Sequence, residues 1–217
     1  FSGYTLKGND GAENNYALTQ PASVTANITA KEVTIIGVTA ANREYDKTNL
    51  NVSVGGSSVT VDGAILGDNV TVNMYNAKGT MADANAGTGK SVTVTGCALD
   101  GTDAGNYKLK GQPTGVTVDI AKATALDLEN ITLSQKYNVT TEQSKDIGTA
   151  GMPEDAGTLT YTEGTPTQTT GSVAIDSASL DATTGKVTYK LSGGKAGDTV
   201  TLPVIIESAN YADATVN

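Results

Sequence analysis

The stretch GCALDGTDAGNYKL, residues 96–109, occurs twice in the chain; its other copy is GYTLKGNDGAENNYAL at residues 3–18. Leu6, Gly8, Asp10, Tyr16, Leu18 and Pro21 match Leu99, Gly101, Asp103, Tyr107, Leu109 and Pro113. Pro21 and Pro113, like Ile28 and Ile120, stand 92 residues apart. The turn of the first copy carries two extra residues, which surface loops tolerate. After each copy the chain alternates apolar with polar residues, at Val24, Ala26 and Ile28 and again over residues 116–120. That period of two is the mark of a strand with one face buried. The chain thus reads as the end of one repeat followed by a whole one.

Working outward, the whole repeat shows short strands at residues 33–38, 51–54, 59–61, 70–74, 92–94, 107–110 and 116–120, separated by Gly, Asp and Asn turns. Val70, Val72, Met74, Val92 and Val94 are expected to face one core, with Thr71, Asn73 and Thr93 on the opposite face. About seven strands in one repeat is the size of an immunoglobulin-like sandwich. Past residues 121–123 the texture changes, and strands are expected at 127–133, 158–161, 171–175, 185–191 and 199–206. Two details return there: Gly197-Asp198 echoes Gly67-Asp68, and Asn210-Tyr211 echoes Asn106-Tyr107. Six residues follow Tyr211, so the last unit is expected to stop short of its final strand.

The expected fold is all-β, with tandem immunoglobulin-like antiparallel β-sandwich domains. Residues 1–30 are read as the C-terminal strands of a truncated preceding repeat. Residues 31–122 form a complete sandwich repeat, and residues 123–217 a second immunoglobulin-like sandwich. Because an isolated pair of strands is marginal in water, residues 15–28 are expected to be ordered by β-pairing, within the chain or by strand-mediated self-association.

Composition narrows the chemistry. The chain has 25 glycines among 217 residues, 5% aromatics and a formal charge of −9. That charge, with no Lys or Arg cluster, argues against a nucleic-acid partner. No stretch approaches the roughly 18 apolar residues of a membrane span. With no histidine and the single Cys97, zinc sites built on His or Cys and triads built on His are excluded, and no disulfide forms within the chain. Cys97 reads as a small apolar residue at a strand end. Asn-x-Ser/Thr triplets at Asn27, Asn51, Asn69, Asn130 and Asn138 are read as chance in an Asn- and Thr-rich chain.

Four segments in order, REYDKT at 43–48, GDNV at 67–70, DANAGTGKSVTVTG at 83–96 and LDGTDAGNY at 99–107, resemble the YDG repeat of large bacterial surface proteins. The motif residues are Tyr45, Asp46, Gly67, Asp68, Leu99, Gly101, Asp103, Asn106 and Tyr107, with Asn210 and Tyr211 as their later echo. Lys47 stands where the name-giving glycine would be. Residues 1–30 resemble the tail of the same repeat, and residues 123–217 resemble immunoglobulin-like modules of adhesin-like proteins. The resemblance implies an extracellular, cell-surface location and a stalk or adhesin role; a host glycan or protein ligand is the candidate partner. It implies no catalytic residue and no cofactor.

Each candidate site also has a plain structural role. Tyr16, Tyr107 and Tyr211 each precede a late strand, as in a tyrosine corner where the ring covers the sandwich edge. Asp10, Glu13, Asp100 and Asp103 could offer oxygens to calcium, yet lack the dense spacing of a calcium loop and suit turns. Glu142, Asp146, Glu154 and Asp155 are acids without a cleft to face across. An isopeptide cross-link would need a lysine in an apolar core. For a glycan-binding module, the alternative reading, Tyr45, Tyr75 and Tyr161 are the candidate contacts.

Overall fold

The computed structural model describes residues 3–47, 49–135 and 141–217; Thr48 and the triplet at Asn138 lie outside them. Among the described residues the regular structure is β, apart from short 3₁₀ turns at Ala12–Asn15, Ala104–Asn106 and Glu154–Ala156.

The middle unit holds β1 (Lys31–Ile36), β2 (Thr39–Ala40), β3 (Arg43–Glu44), β4 (Asn51–Val52), β5 (Val54–Gly55), β6 (Thr60–Asp62), β7 (Thr71–Asn73), β8 (Lys78–Met81), β9 (Gly87–Thr95), β10 (Ala98–Asp100), β11 (Tyr107–Leu109) and β12 (Thr117–Ala121). Its main sheet has the order β3-β12-β9-β8-β4. The remaining strands form β11-β1-β6 and the pairs β10-β7 and β2-β5. The alternation seen in the sequence is reproduced side by side. In β9, Val92 and Val94 are buried and Thr93 is exposed; in β12, Val118 and Ile120 are buried and Thr117 and Asp119 exposed. Val70, Val72 and Met74 are half-buried, with Thr71 and Asn73 outward. The expected core face of these strands is the observed one. Burying one such Val or Ile chain is worth about 1.5–3 kcal/mol against leaving it in water.

The C-terminal unit holds β13 (Gln143–Asp146), β14 (Leu159–Glu163), β15 (Thr167–Thr170), β16 (Val173–Leu180), β17 (Lys186–Gly193), β18 (Thr199–Thr201), β19 (Val204–Ser208) and β20 (Ala214–Val216). They form the sheets β13-β17-β16, β14-β19-β20 and β15-β18. The expected strand over 199–206 divides at Pro203, which has no N–H to give a ladder. The six residues after Tyr211 accommodate β20. Among the described residues no ladder joins a strand of one unit to a strand of the other.

Two sets of expected strands do not form. Residues 15–18 and 24–28 are in no ladder within the chain; Tyr16 is 73% exposed and Ile28 99%. The reason is visible in the second copy, where β12 is a strand because β9 flanks it on one side and β3 on the other. Residues 24–28 have the same alternation and no such neighbours, and a strand is stabilised by its partners. Residues 127–133 also form no strand. Leu126, Leu128 and Ile131 pack on the core, and the Ile131 N–H donates to the Asn217 carbonyl at 2.9 Å.

Candidate functional site

Of the motif glycines, Gly67 has open space beside it and a φ of +98°, whereas Gly101 is required by close approach of the backbone. Gly101 has φ +109°, and a Cβ there would lie 2.3 Å from the carbonyl oxygen of Asn69. That carbonyl accepts the Asp103 N–H at 3.1 Å, and an Asp103 carboxylate oxygen accepts the Asn69 N–H at 2.7 Å. Leu99, opposite Val72 in the β10–β7 ladder, carries the chain into this loop. Asp100 accepts the Gly101 N–H at 2.7 Å. Both acids therefore hold turns, and among the described residues no group of three or more metal-ligating side chains gathers. Asp10 is exposed in the N-terminal segment.

The Tyr45-Asp46-Lys47 loop is held by Asp46, which pairs with Arg43 and accepts from the Asn49 amide at 3.0 Å. Lys47 has φ +75°, the left-handed conformation that glycine enters without steric cost. A lysine here therefore strains the backbone. Lys47→Gly is expected to stabilise the middle unit by about 1 kcal/mol, read as a rise in its urea midpoint at unchanged slope.

Tyr45 itself turns away from solvent into the joint between the units. Its N–H donates to the carbonyl of Ala121, the last residue of β12, at 2.8 Å. Two residues on, Ala123 bridges Tyr211 in parallel. The Ala123 N–H donates to the Asn210 carbonyl at 2.9 Å, and its carbonyl accepts the Ala212 N–H at 2.8 Å. Only Lys122 lies between these anchored residues. The Tyr45 and Tyr211 rings meet edge to face, with centroids 5.7 Å apart at 73°, a favoured aromatic geometry. Both hydroxyls reach one carboxylate: Asp155 Oδ2 lies 3.3 Å from Tyr45 Oη and 3.1 Å from Tyr211 Oη. Tyr45 Oη also lies 3.1 Å from the Asp155 carbonyl oxygen.

Asn210 closes the joint and is 1% exposed. Its Nδ2 donates to the Asp155 carbonyl at 2.8 Å and to Asn85 Oδ1 at 3.1 Å. Its Oδ1 accepts the Ala86 N–H at 3.0 Å. The buried Ser208 hydroxyl donates to the Ala156 carbonyl at 2.7 Å and accepts the N–H groups of Asn210 and Tyr211. Asn85 and Ala86 belong to the middle unit; Asp155, Ser208, Asn210 and Tyr211 belong to the C-terminal one.

Burial first, and then the Asp155 carboxylate, push the Tyr45 and Tyr211 hydroxyls above the ordinary tyrosine value of 10.0. Tyr107 is raised first by its hydrogen bond to Asp68 and then by burial; Tyr161 is raised by burial. In each case the folded chain keeps a proton that an unfolded tyrosine releases near pH 10. Stability is therefore unaffected by these groups below pH 10 and falls as pH rises above it. Ultraviolet titration of phenolate is expected to show a late-ionising set of tyrosines released together with alkaline unfolding.

The structure also places the other residues considered. Gly197-Asp198 does not do what Gly67-Asp68 does. Asp68 accepts from the Tyr107 hydroxyl, whereas Asp198 Oδ2 takes the N–H groups of Ser172 and Lys195 at 2.8 and 3.1 Å, and Tyr211 uses Asp155. Of the tyrosines considered for glycan contact, Tyr45 and Tyr161 are buried, while Tyr75 is 91% exposed. Glu142 and Glu154 are exposed, Asp146 accepts the Gly148 N–H at 2.8 Å, and Asp155 is committed to the joint. Among the described residues no lysine is buried, so none sits in an apolar core to form an isopeptide. Cys97 is buried with its thiol pushed up by burial. A cavity of about 600 Å³ lies within the C-terminal unit, lined in part by Ile131, Ile175, Tyr189, Leu191 and Val200.

In the sequence, Tyr45 reads as a motif residue and a candidate glycan contact. Its partner Asp155, and the partners of Asn210 at Asn85, Ala86 and Ser208, carried no local signal that they converge, since the fold brings distant segments together. No curated protein and no solved structure matches the chain. Residues 29–116 match the family model of the YDG domain, so the stretch that carries Tyr45, Asn85 and Tyr107 is similar to a YDG domain.

Proposed function

We propose that this chain is a non-catalytic segment of a bacterial cell-surface protein, built of tandem immunoglobulin-like β-sandwiches and acting as a stiff stalk or spacer for adhesion. The observation that carries the reading is the buried joint, in which Tyr45, Asp155, Asn210 and Tyr211 hold two units across a single intervening residue. A spacer needs its modules fixed in orientation, and a joint with its polar groups paired in both units resists bending, because opening it would expose or orphan them. The likeness of residues 29–116 to the YDG domain supports the surface setting. Each module would add roughly 30 Å to a rod, the length of strands of up to about nine residues.

The test is backbone amide relaxation of the intact chain. A common rotational correlation time for the middle and C-terminal units supports the reading; two distinct times would overturn it.

A further inference from the structure

The joint has a counterpart at the other end of the middle unit. Tyr107 pairs in parallel with Lys31 as Tyr211 does with Ala123, and Lys31 and Ala123 are 92 residues apart, the repeat spacing. The Tyr107 hydroxyl donates to the Asp68 carboxylate as that of Tyr211 donates to Asp155. Asn106 precedes Tyr107 as Asn210 precedes Tyr211.

What differs is cover. Asn210 is buried and its amide fully used across the joint, whereas Asn106 is exposed. Asp155 is half-buried and meets two tyrosine hydroxyls, whereas Asp68 is exposed and meets one. Ile65, whose N–H donates to Tyr107 Oη at 3.0 Å, is 56% exposed, and Leu66 beside it is fully exposed. Met152 stands three residues before Asp155, as Ile65 stands before Asp68, and it is buried. The end face of the middle unit thus repeats the receiving half of the joint, with apolar side chains in water beside it.

We propose that this face, Asp68, Asn106 and Tyr107 with Ile65 and Leu66, is the docking surface for a preceding module of the same YDG kind. The counterpart of Tyr45 in that module donates its hydroxyl to Asp68, and the counterparts of Asn85 and Ala86 pair with the Asn106 amide. The occupant follows from continuity with the joint already present. Residues 21–30 repeat residues 113–122, so a preceding module reaches Lys31 over the same one-residue link that leads from Ala121 to Ala123. Burial of Ile65 and Leu66 supplies the apolar part of the contact. The inference rests on the spacer reading and extends it from one joint to a rule of assembly: each module offers a Tyr45-type tyrosine at one end and an Asn-Tyr-carboxylate receiver at the other.

The experiment lengthens the chain by one repeat, with residues 1–122 followed directly by residues 31–217. Amide relaxation is expected to give one correlation time for all three modules. Asn106→Arg in the second of the two identical modules is expected to release the first module alone, while the same change in the 217-residue chain leaves its thermal midpoint unchanged because Asn106 is exposed there. A first module that tumbles freely while the Asn210 joint stays stiff overturns the inference and leaves the spacer reading standing. If both joints are loose, the spacer reading fails and the inference falls with it.

Discussion

Asn210→Leu is expected to destabilise the C-terminal unit and the joint together by roughly 2–4 kcal/mol, the loss of three hydrogen bonds of a buried amide at about 0.5–1.5 kcal/mol each. Leucine is close to asparagine in size, so the change removes hydrogen bonds without opening a large cavity. It orphans the Ala86 N–H and an Asn85 oxygen in the middle unit and weakens the satisfaction of the Asp155 carbonyl in the C-terminal one. The backbone bonds of Asn210 to Ala123 and Ala156 remain. Both units should therefore still fold, with the coupling between them lost. In urea, the parent is expected to show closely coupled unfolding of the two units, and the variant a separate, earlier transition for the C-terminal unit. A loss under about 1 kcal/mol, with coupling intact, would show that the joint is held by the tyrosine contact alone.

Ile206→Ala is expected to cost the C-terminal unit about 3–4 kcal/mol, in the range found for large-to-small changes at fully packed sites. Ile206 is 0% exposed and sits in β19 between β14 and β20, opposite Tyr161 on one side and Ala214 on the other. Those ladders restrain collapse of the strands around the space left behind. The adjacent Ile205 points to the other face and is half-buried, so Ile205→Ala should lose less than half as much. Equal losses at the two positions would contradict the register of β19. The midpoint shift in urea at constant slope measures both.

What the sequence by itself determined is what short-range periodicity can carry. The alternation in residues 70–74 and 92–94 assigned Val70, Val72, Met74, Val92 and Val94 to one core face, because side chains alternate faces on a strand whatever its neighbours. The 92-residue repeat spacing is likewise legible in the sequence alone, whereas the close backbone approach at Gly101 is seen only in the fold. Residues 24–28 show the limit. Their pattern is as regular as that of β12, yet within the chain they form no ladder, since hydrogen-bonded neighbours are supplied by distant segments. The edge strand Gln143–Asp146 shows the converse: four polar residues become a strand because β17 lies beside them. The joint lies wholly on the side of tertiary structure. Gly197-Asp198 looked like the equivalent of Gly67-Asp68, but the carboxylate that meets Tyr211 is Asp155, brought there by the turn Glu154–Ala156. A hydrogen bond is specific to position in space, and nothing in the local sequence of Asp155, Asn85 or Tyr45 records that they converge.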